Sequence, residues 1–220
     1  MKRLFLIISS IAIILGACSA LPGGTVTEAQ APVPTQPPGS VLFQDDFAQA
    51  TTGWDHFIVN EGVLDYDAGG YRILVNALQT NFWATPRRNF SDVRLEVDTG
   101  KLAGPDENRI GLICRYNGKD YYFFIITSDG FYGMGLYKDG QVALLGQPEL
   151  LASANINKGL AVNHLRGDCV GSTLTFYVNG FQVTQAQDAT LPSGDIGILA
   201  GTFDTTGVDV VFDNFVALQP

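Results

Sequence analysis

Glu96 and Asp98 stand two residues apart in "VRLEVDTG", a spacing that puts both carboxylates on one face of an extended strand, with Arg94 beside them. Paired carboxylates can hydrolyse a glycosidic bond, one protonating the leaving oxygen while the other attacks or activates water. They can also simply be the wet side of an amphipathic strand. A second group of interest lies in "RIGLICRYNGKDYYFFII", Arg109 to Ile126, and in "FYGMGLYK", Phe131 to Lys138. Arg115, Tyr122 and Tyr137 join a guanidinium to two phenol rings there. Aromatic rings stack on the apolar faces of sugars while Arg, Asp and Glu bond to hydroxyls, so all six residues are candidate ligand contacts.

Other chemistries find little support. His56 and His164 are isolated, without HExxH or paired Cys/His spacing, so zinc is not expected. Nucleophile elbow, phosphate-cradling loop and dinucleotide fingerprint are all missing from the sequence.

The elements that must position these residues are strands. From Val41 onward, short apolar or alternating runs are broken by turn pairs at Glu61, Gly69, Asn117, Asp129, Asp139 and Asn179. Asn-Gly and Asp-Gly supply the positive φ of tight hairpins. Strands are predicted at 71–75, 93–98, 109–116, 121–128, 131–138, 141–145, 161–169, 173–179, 196–201 and 208–218. Without a convincing long helix, this many strands implies an all-β, antiparallel two-sheet sandwich.

Pairing Tyr116 with Tyr121 across "NGKD" sets Arg115 opposite Tyr122 and Ile113 opposite Phe124. A two-residue turn at Asp129 and Gly130 then sets Tyr122 beside Tyr137 and Phe124 beside Gly135. Alternation assigns Arg115, Tyr122, Tyr137, Ile113 and Phe124 to a wet face floored by Gly111, Gly133 and Gly135, where a ligand can approach the backbone. Cys114, Phe123, Leu136, Leu112, Ile125 and Met134 form the expected core. Cys114 and Cys169 both point inward; a disulfide and a pair of buried thiols remain open.

The segments "WATPRRNFSDVRLEVD", "RIGLICRYNGKDYYFFIITSDGFY", "NHLRGDCVGSTLTFYVNG" and "SGDIGILAGTFDTTGVDVVFDNFVAL" resemble successive strands of concanavalin A-like lectin/glucanase domains, the laminin G-like and 3-keto-disaccharide hydrolase type of jelly roll. The resemblance spans residues 41–218 and implies a jelly roll while specifying function poorly, since the superfamily includes lectins, glycosidases and adhesion modules. Retaining glucanases of this type carry Glu-x-Asp-x-Glu; here Gly100 replaces the third carboxylate, so that mechanism is not carried over. The resemblance also implies that the terminal strands pair, bringing "FQDDF" near "VVFDNF", where related domains fix a calcium. Asp46 and Asp213 are the candidate ligands; no other cofactor is expected.

The N-terminus reads as an export signal. Lys2 and Arg3 precede an apolar run from Leu4 to Leu15, and "LGAC", Leu15 to Cys18, resembles the bacterial lipobox. This implies a signal peptide over 1–17, an acylated Cys18 that anchors the chain to the lipid bilayer, and an outside-facing place in the cell envelope. Residues 18–40 hold five of the ten prolines and form a linker, leaving 41–220 as one domain. Cleavage leaves 11 basic against 22 acidic residues, a formal charge of −11, which argues against nucleic acid as a partner. The expected function is glycan binding on a concave sheet face. The alternatives are a hydrolase or lyase using that face and a non-catalytic adhesion or structural module.

Overall fold

The computed structural model describes residues 36–220. The expected signal peptide, Cys18 and most of the linker lie outside those residues. In chain order the strands are β1 (Val41–Asp45), β2 (Phe57–Val59), β3 (Gly62–Asp67), β4 (Gly70–Val75), β5 (Asn81–Ala84), β6 (Asn89–Phe90), β7 (Val93–Ala103), β8 (Asn108–Tyr116) and β9 (Tyr121–Ile126). They continue with β10 (Phe131–Lys138), β11 (Gln141–Leu144), β12 (Leu151–Ala152), β13 (Asn163–Val170), β14 (Thr173–Val178), β15 (Phe181–Gln187), β16 (Gly194–Thr202) and β17 (Val208–Leu218). No helix occurs among the described residues.

Two antiparallel sheets form the sandwich. The first runs β15-β14-β13-β7-β17-β4-β3-β2, with β1 also on β17; the second runs β11-β10-β9-β8-β16-β5, with β12 on β10 and β6 on β16. The terminal strands do pair, and Ser40, expected in the linker, already bonds to Gln219.

Alternation builds the core. Val93, Leu95 and Val97 of β7, Leu165 and Cys169 of β13, and Leu174, Phe176 and Val178 of β14 are completely buried. They pack against Leu112, Cys114, Tyr122, Phe124 and Met134 from the second sheet. The sheets approach closely at Gly167, where an added Cβ would lie 2.8 Å from the Phe124 ring. Further along β13, Cys169 is bonded to Cys114 of β8, a staple between the sheets. The loop it closes spans 55 residues, for which the chain-entropy relation gives about 4 kcal/mol.

The expected faces hold for β8 as far as Cys114 and for β10, and are inverted in β9. Arg115 adopts φ 54° and forms a bulge, so Cys114, not Arg115, faces Tyr122. At the other end the turn has three residues, Ser128 to Gly130: Thr127 and Phe131 close it, with Gly130 at φ 104°. Each device moves the register by one residue, and a one-residue slip exchanges the two faces of a strand. Tyr122 and Phe124 therefore enter the core, while Tyr121, Phe123 and Ile125 come out on the far side of the sheet.

Candidate functional site

The far side of the second sheet carries its own apolar cluster, made of Ile113, Tyr121, Phe123, Ile125 and Leu199 and flanked by Trp83, Tyr116, Tyr137, Leu144 and Leu150. Small neighbours make room for large ones. Gly135 lies under the Phe123 ring, 2.4 Å from where a Cβ would stand, and Gly133 leaves similar space for Leu150. The floor expected from Gly111, Gly133 and Gly135 thus exists, but side chains of the same face fill much of it.

Four aromatic residues from four different strands and strand ends meet there. Tyr121 of β9 stacks on Tyr137 of β10, with ring centroids 5.0 Å apart and planes 16° from parallel. Trp83 of β5 packs 5.4 Å from Tyr121 and 5.9 Å from Tyr116. Beside them opens a depression of about 490 Å³ whose wall includes Tyr121, Tyr137, Phe123, Val142, Leu144, Asn81 and Arg109. Arg109 is held by its Nη1, which donates to Asn81 Oδ1 (3.0 Å) and to the Thr202 carbonyl (2.7 Å), and its guanidinium lies 3.9 Å over the Phe203 ring. Burial pushes the Tyr121 phenol up to about 12, with Asn81 and Arg109 opposing the shift. It is therefore a neutral hydrogen-bonding group across the physiological range. Burial also lowers the Arg109 pKa, although a guanidinium stays charged at neutral pH.

Of the six candidate contacts, the structure brings only Tyr137 to this depression. Arg115 is 2% exposed. It donates to the carbonyls of Ser91 (2.9 Å), Leu191 (2.9 Å) and Gly171 (2.8 Å), with Asp92 at 3.4 Å, and so ties three loops together. This is a correction of the expected wet position, and the bulge at Arg115 is its cause. Tyr122 is likewise corrected: fully buried, its hydroxyl donates to Asp188 (2.5 Å) and accepts from the Leu191 amide (3.0 Å).

Arg94, Glu96 and Asp98 do face solvent, but on the outer side of the first sheet, away from Tyr137. β7 pairs with β13 and β17, not with the hairpin strands. His164 joins them, 2.8 Å from Asp98 and 3.5 Å from Glu96, while Arg94 and Arg166 share Asp168. Ion pairs and hydrogen bonds link these side chains along the ribbon. The residues proposed for calcium do not fit a site. Asp46 accepts from the Ala48 amide and Asp213 from the Asn214 amide, and they line different depressions. Neighbouring Asp45 is occupied by the Phe47 amide, Thr52 and the Trp54 indole. Among the described residues no three His, Cys, Asp or Glu side chains are grouped to hold a metal.

Tyr121, Trp83, Tyr116, Arg109 and Asn81 went unrecognised in the sequence. The signals were faint: a third turn residue in "SDG", and a four-residue strand, "NFWA", short enough to pass as loop.

With this geometry in hand, comparison with solved structures decides the architecture. The carbohydrate-binding module CBM66 from Bacillus subtilis superposes with a TM-score of 0.63 at 17% identity, covering 77% of this chain and 97% of that one. A Bacillus subtilis protein of unknown function with a galectin-like fold gives 0.61 at 12% identity, covering 83% and 97%. The Bacillus licheniformis β-glucanase gives 0.57 at 11%, covering 81% and 97%. The fold is a concanavalin A/galectin-like jelly roll. At these identities the likeness extends to the fold alone. No protein-family model matches the sequence, and neither does any curated protein.

Proposed function

We propose that this protein is a lipid-anchored component of the cell envelope whose jelly-roll domain binds carbohydrate on the outer face of its second sheet. The observation that carries this reading is the aromatic platform of Trp83, Tyr116, Tyr121 and Tyr137 beside a depression of about 490 Å³. Trp83, Tyr116 and Tyr137 are partly exposed rings of the kind that stack on pyranose faces, with the buried Tyr121 ring backing Tyr137, and Asn81, Arg109 and the Tyr137 hydroxyl are polar groups able to orient sugar hydroxyls. The structural likeness to a carbohydrate-binding module and to a glucanase supports the same class of ligand. Binding is favoured over hydrolysis because the wall of the depression includes no Asp or Glu, and glycoside hydrolysis in its usual form works through two carboxylates flanking the bond. Glu96 and Asp98 lie on the other sheet.

The anchor rests on "LGAC" and the run before it. Two acyl chains, at about 0.8 kcal/mol per buried methylene, hold a protein stably on a bilayer, and the Pro-rich segment lets the domain stand off the membrane. Labelled palmitate should enter the full chain and fail to enter Cys18→Ser; label retained by that variant would refute the anchor. For the binding face, affinity electrophoresis against a panel of polysaccharides is expected to show retardation that Trp83→Ala and Tyr137→Ala each reduce about tenfold or more. Retardation unchanged by both variants would place the site elsewhere.

A further inference from the structure

The charges around the depression select among sugars, a selection that rests on the carbohydrate reading of the same face. The chain has 22 acidic residues against 13 basic ones, yet the wall of this depression carries a single ionised side chain, Arg109. Most other arginines among the described residues have a carboxylate at hand. Arg72, Arg87, Arg94, Arg115 and Arg166 each lie within ion-pair distance of a carboxylate, and Arg88 is exposed to water. Arg109 is partly buried, and among the described residues no carboxylate pairs with it.

Its mounting is neutral and one-sided. Both bonds to the protein leave from Nη1, to an amide oxygen and a backbone carbonyl, and the ring of Phe203 supports the guanidinium plane. The Nε–Nη2 edge has no acceptor among the described residues. That edge offers two parallel N–H groups, the fork that a planar carboxylate accepts in bidentate fashion. A partly desolvated cation without a counter-ion is unfavourable, and an anionic ligand relieves that cost. The surroundings confine where such an anion can sit. Beyond Leu150 and Phe203 the next depression is bordered by Glu107, Asp129 and Glu149, which repel a second negative charge. One fork and one positive charge match a planar monoanion, and the rest of the wall is uncharged and largely apolar.

We infer that the depression takes an acidic saccharide, with a uronic-acid carboxylate seated on Arg109 and the aromatic wall receiving the sugar rings. The test is calorimetric titration of the full chain in mild detergent with oligosaccharides from polygalacturonate, alginate and hyaluronate, each paired with its carboxyl-reduced counterpart. At least one acidic oligosaccharide is expected to bind about tenfold or more tightly than its reduced partner. Arg109→Gln should abolish that preference while keeping residual affinity for the reduced form; Arg109→Lys, which retains charge but not the fork, should keep only part of it. The wild-type comparison needs no variant, so it stands even if substitution at Arg109 disturbs the Thr202 contact. Saccharide binding that is equal for acidic and reduced forms, or confined to neutral or sulfated sugars, would overturn this inference and leave the binding face intact. Absence of binding to any saccharide, acidic or neutral, would overturn both.

Discussion

The outer faces of the two sheets are made from the same alternation of strands, yet they do opposite things with their polar groups. On the first sheet Glu96, Asp98, His164, Arg166 and Asp168 engage one another through contacts such as His164 Nδ1 to Asp98 (2.8 Å) and Arg166 to Asp168 (2.5 Å), and Arg94 lies within ion-pair distance of Asp168 while its Nε makes no hydrogen bond. Little is left over for a ligand. The second sheet has few charges; its aromatic residues leave a hollow at whose wall stands Arg109, which has no partner acid among the described residues. A count of polar residues would choose the first face for binding, whereas unsatisfied capacity chooses the second.

The comparison requires the sheets to stay in fixed relation, which the Cys114–Cys169 bond enforces. Replacing both cysteines by alanine is expected to lower unfolding stability by about 4 kcal/mol, read from denaturant midpoints; a loss below about 1 kcal/mol would mean that packing around Gly167 and Phe124 suffices. Next in size is Arg115→Met. Removing a buried guanidinium that serves three carbonyls should cost about 3 kcal/mol and leave saccharide affinity unchanged. If affinity falls with stability intact, Arg115 belongs to the site after all.

Tyr137→Ala should behave in the reverse manner, weakening saccharide binding by about tenfold or more with a small effect on stability. Glu96→Gln, on the ion-paired face, should not alter binding, and any loss there would blur the contrast between the sheets. The smallest effect concerns pH. The Tyr121 phenol, raised by burial from 10.0 to about 12, contributes stability that is complete below pH 10 and is lost as the pH rises toward 12. Tyr71, also raised by burial, acts in the same direction. Thermal melts of Tyr121→Phe between pH 9 and about 12 should fall less steeply than those of the wild type; equal slopes would mean that Tyr121 ionises freely in the folded protein.

The sheets were largely legible because their physics is periodic. β10 and β17 match the predicted 131–138 and 208–218 in full, since hydrophobic alternation and Asn-Gly or Asp-Gly turns mark them clearly. Less was visible where the pattern is short or polar: β5 has four residues, and β15, "FQVTQAQ", is a largely exposed edge strand. The site itself was read only in part, for a specific reason. Tyr137 and the three glycines were placed on the correct side, but β9 is flanked by a bulge and a three-residue turn, each shifting register by one. Alternation gives the period of a strand and not its phase, so neighbours such as Tyr121 and Tyr122 exchange roles when a turn gains a residue. Arg115 illustrates the same limit, because a non-glycine bulge at positive φ leaves little local trace in sequence.

The proposed binding places ligand on the outer face of the second sheet. Two-dimensional NMR of the full chain in detergent micelles, titrated with a bound oligosaccharide, tests it most directly. Shifts are expected to concentrate at the Trp83 indole N–H and the backbone amides of Tyr121, Phe123 and Tyr137, with Arg94, Glu96, Asp98 and His164 undisturbed; the reverse distribution would contradict the claim.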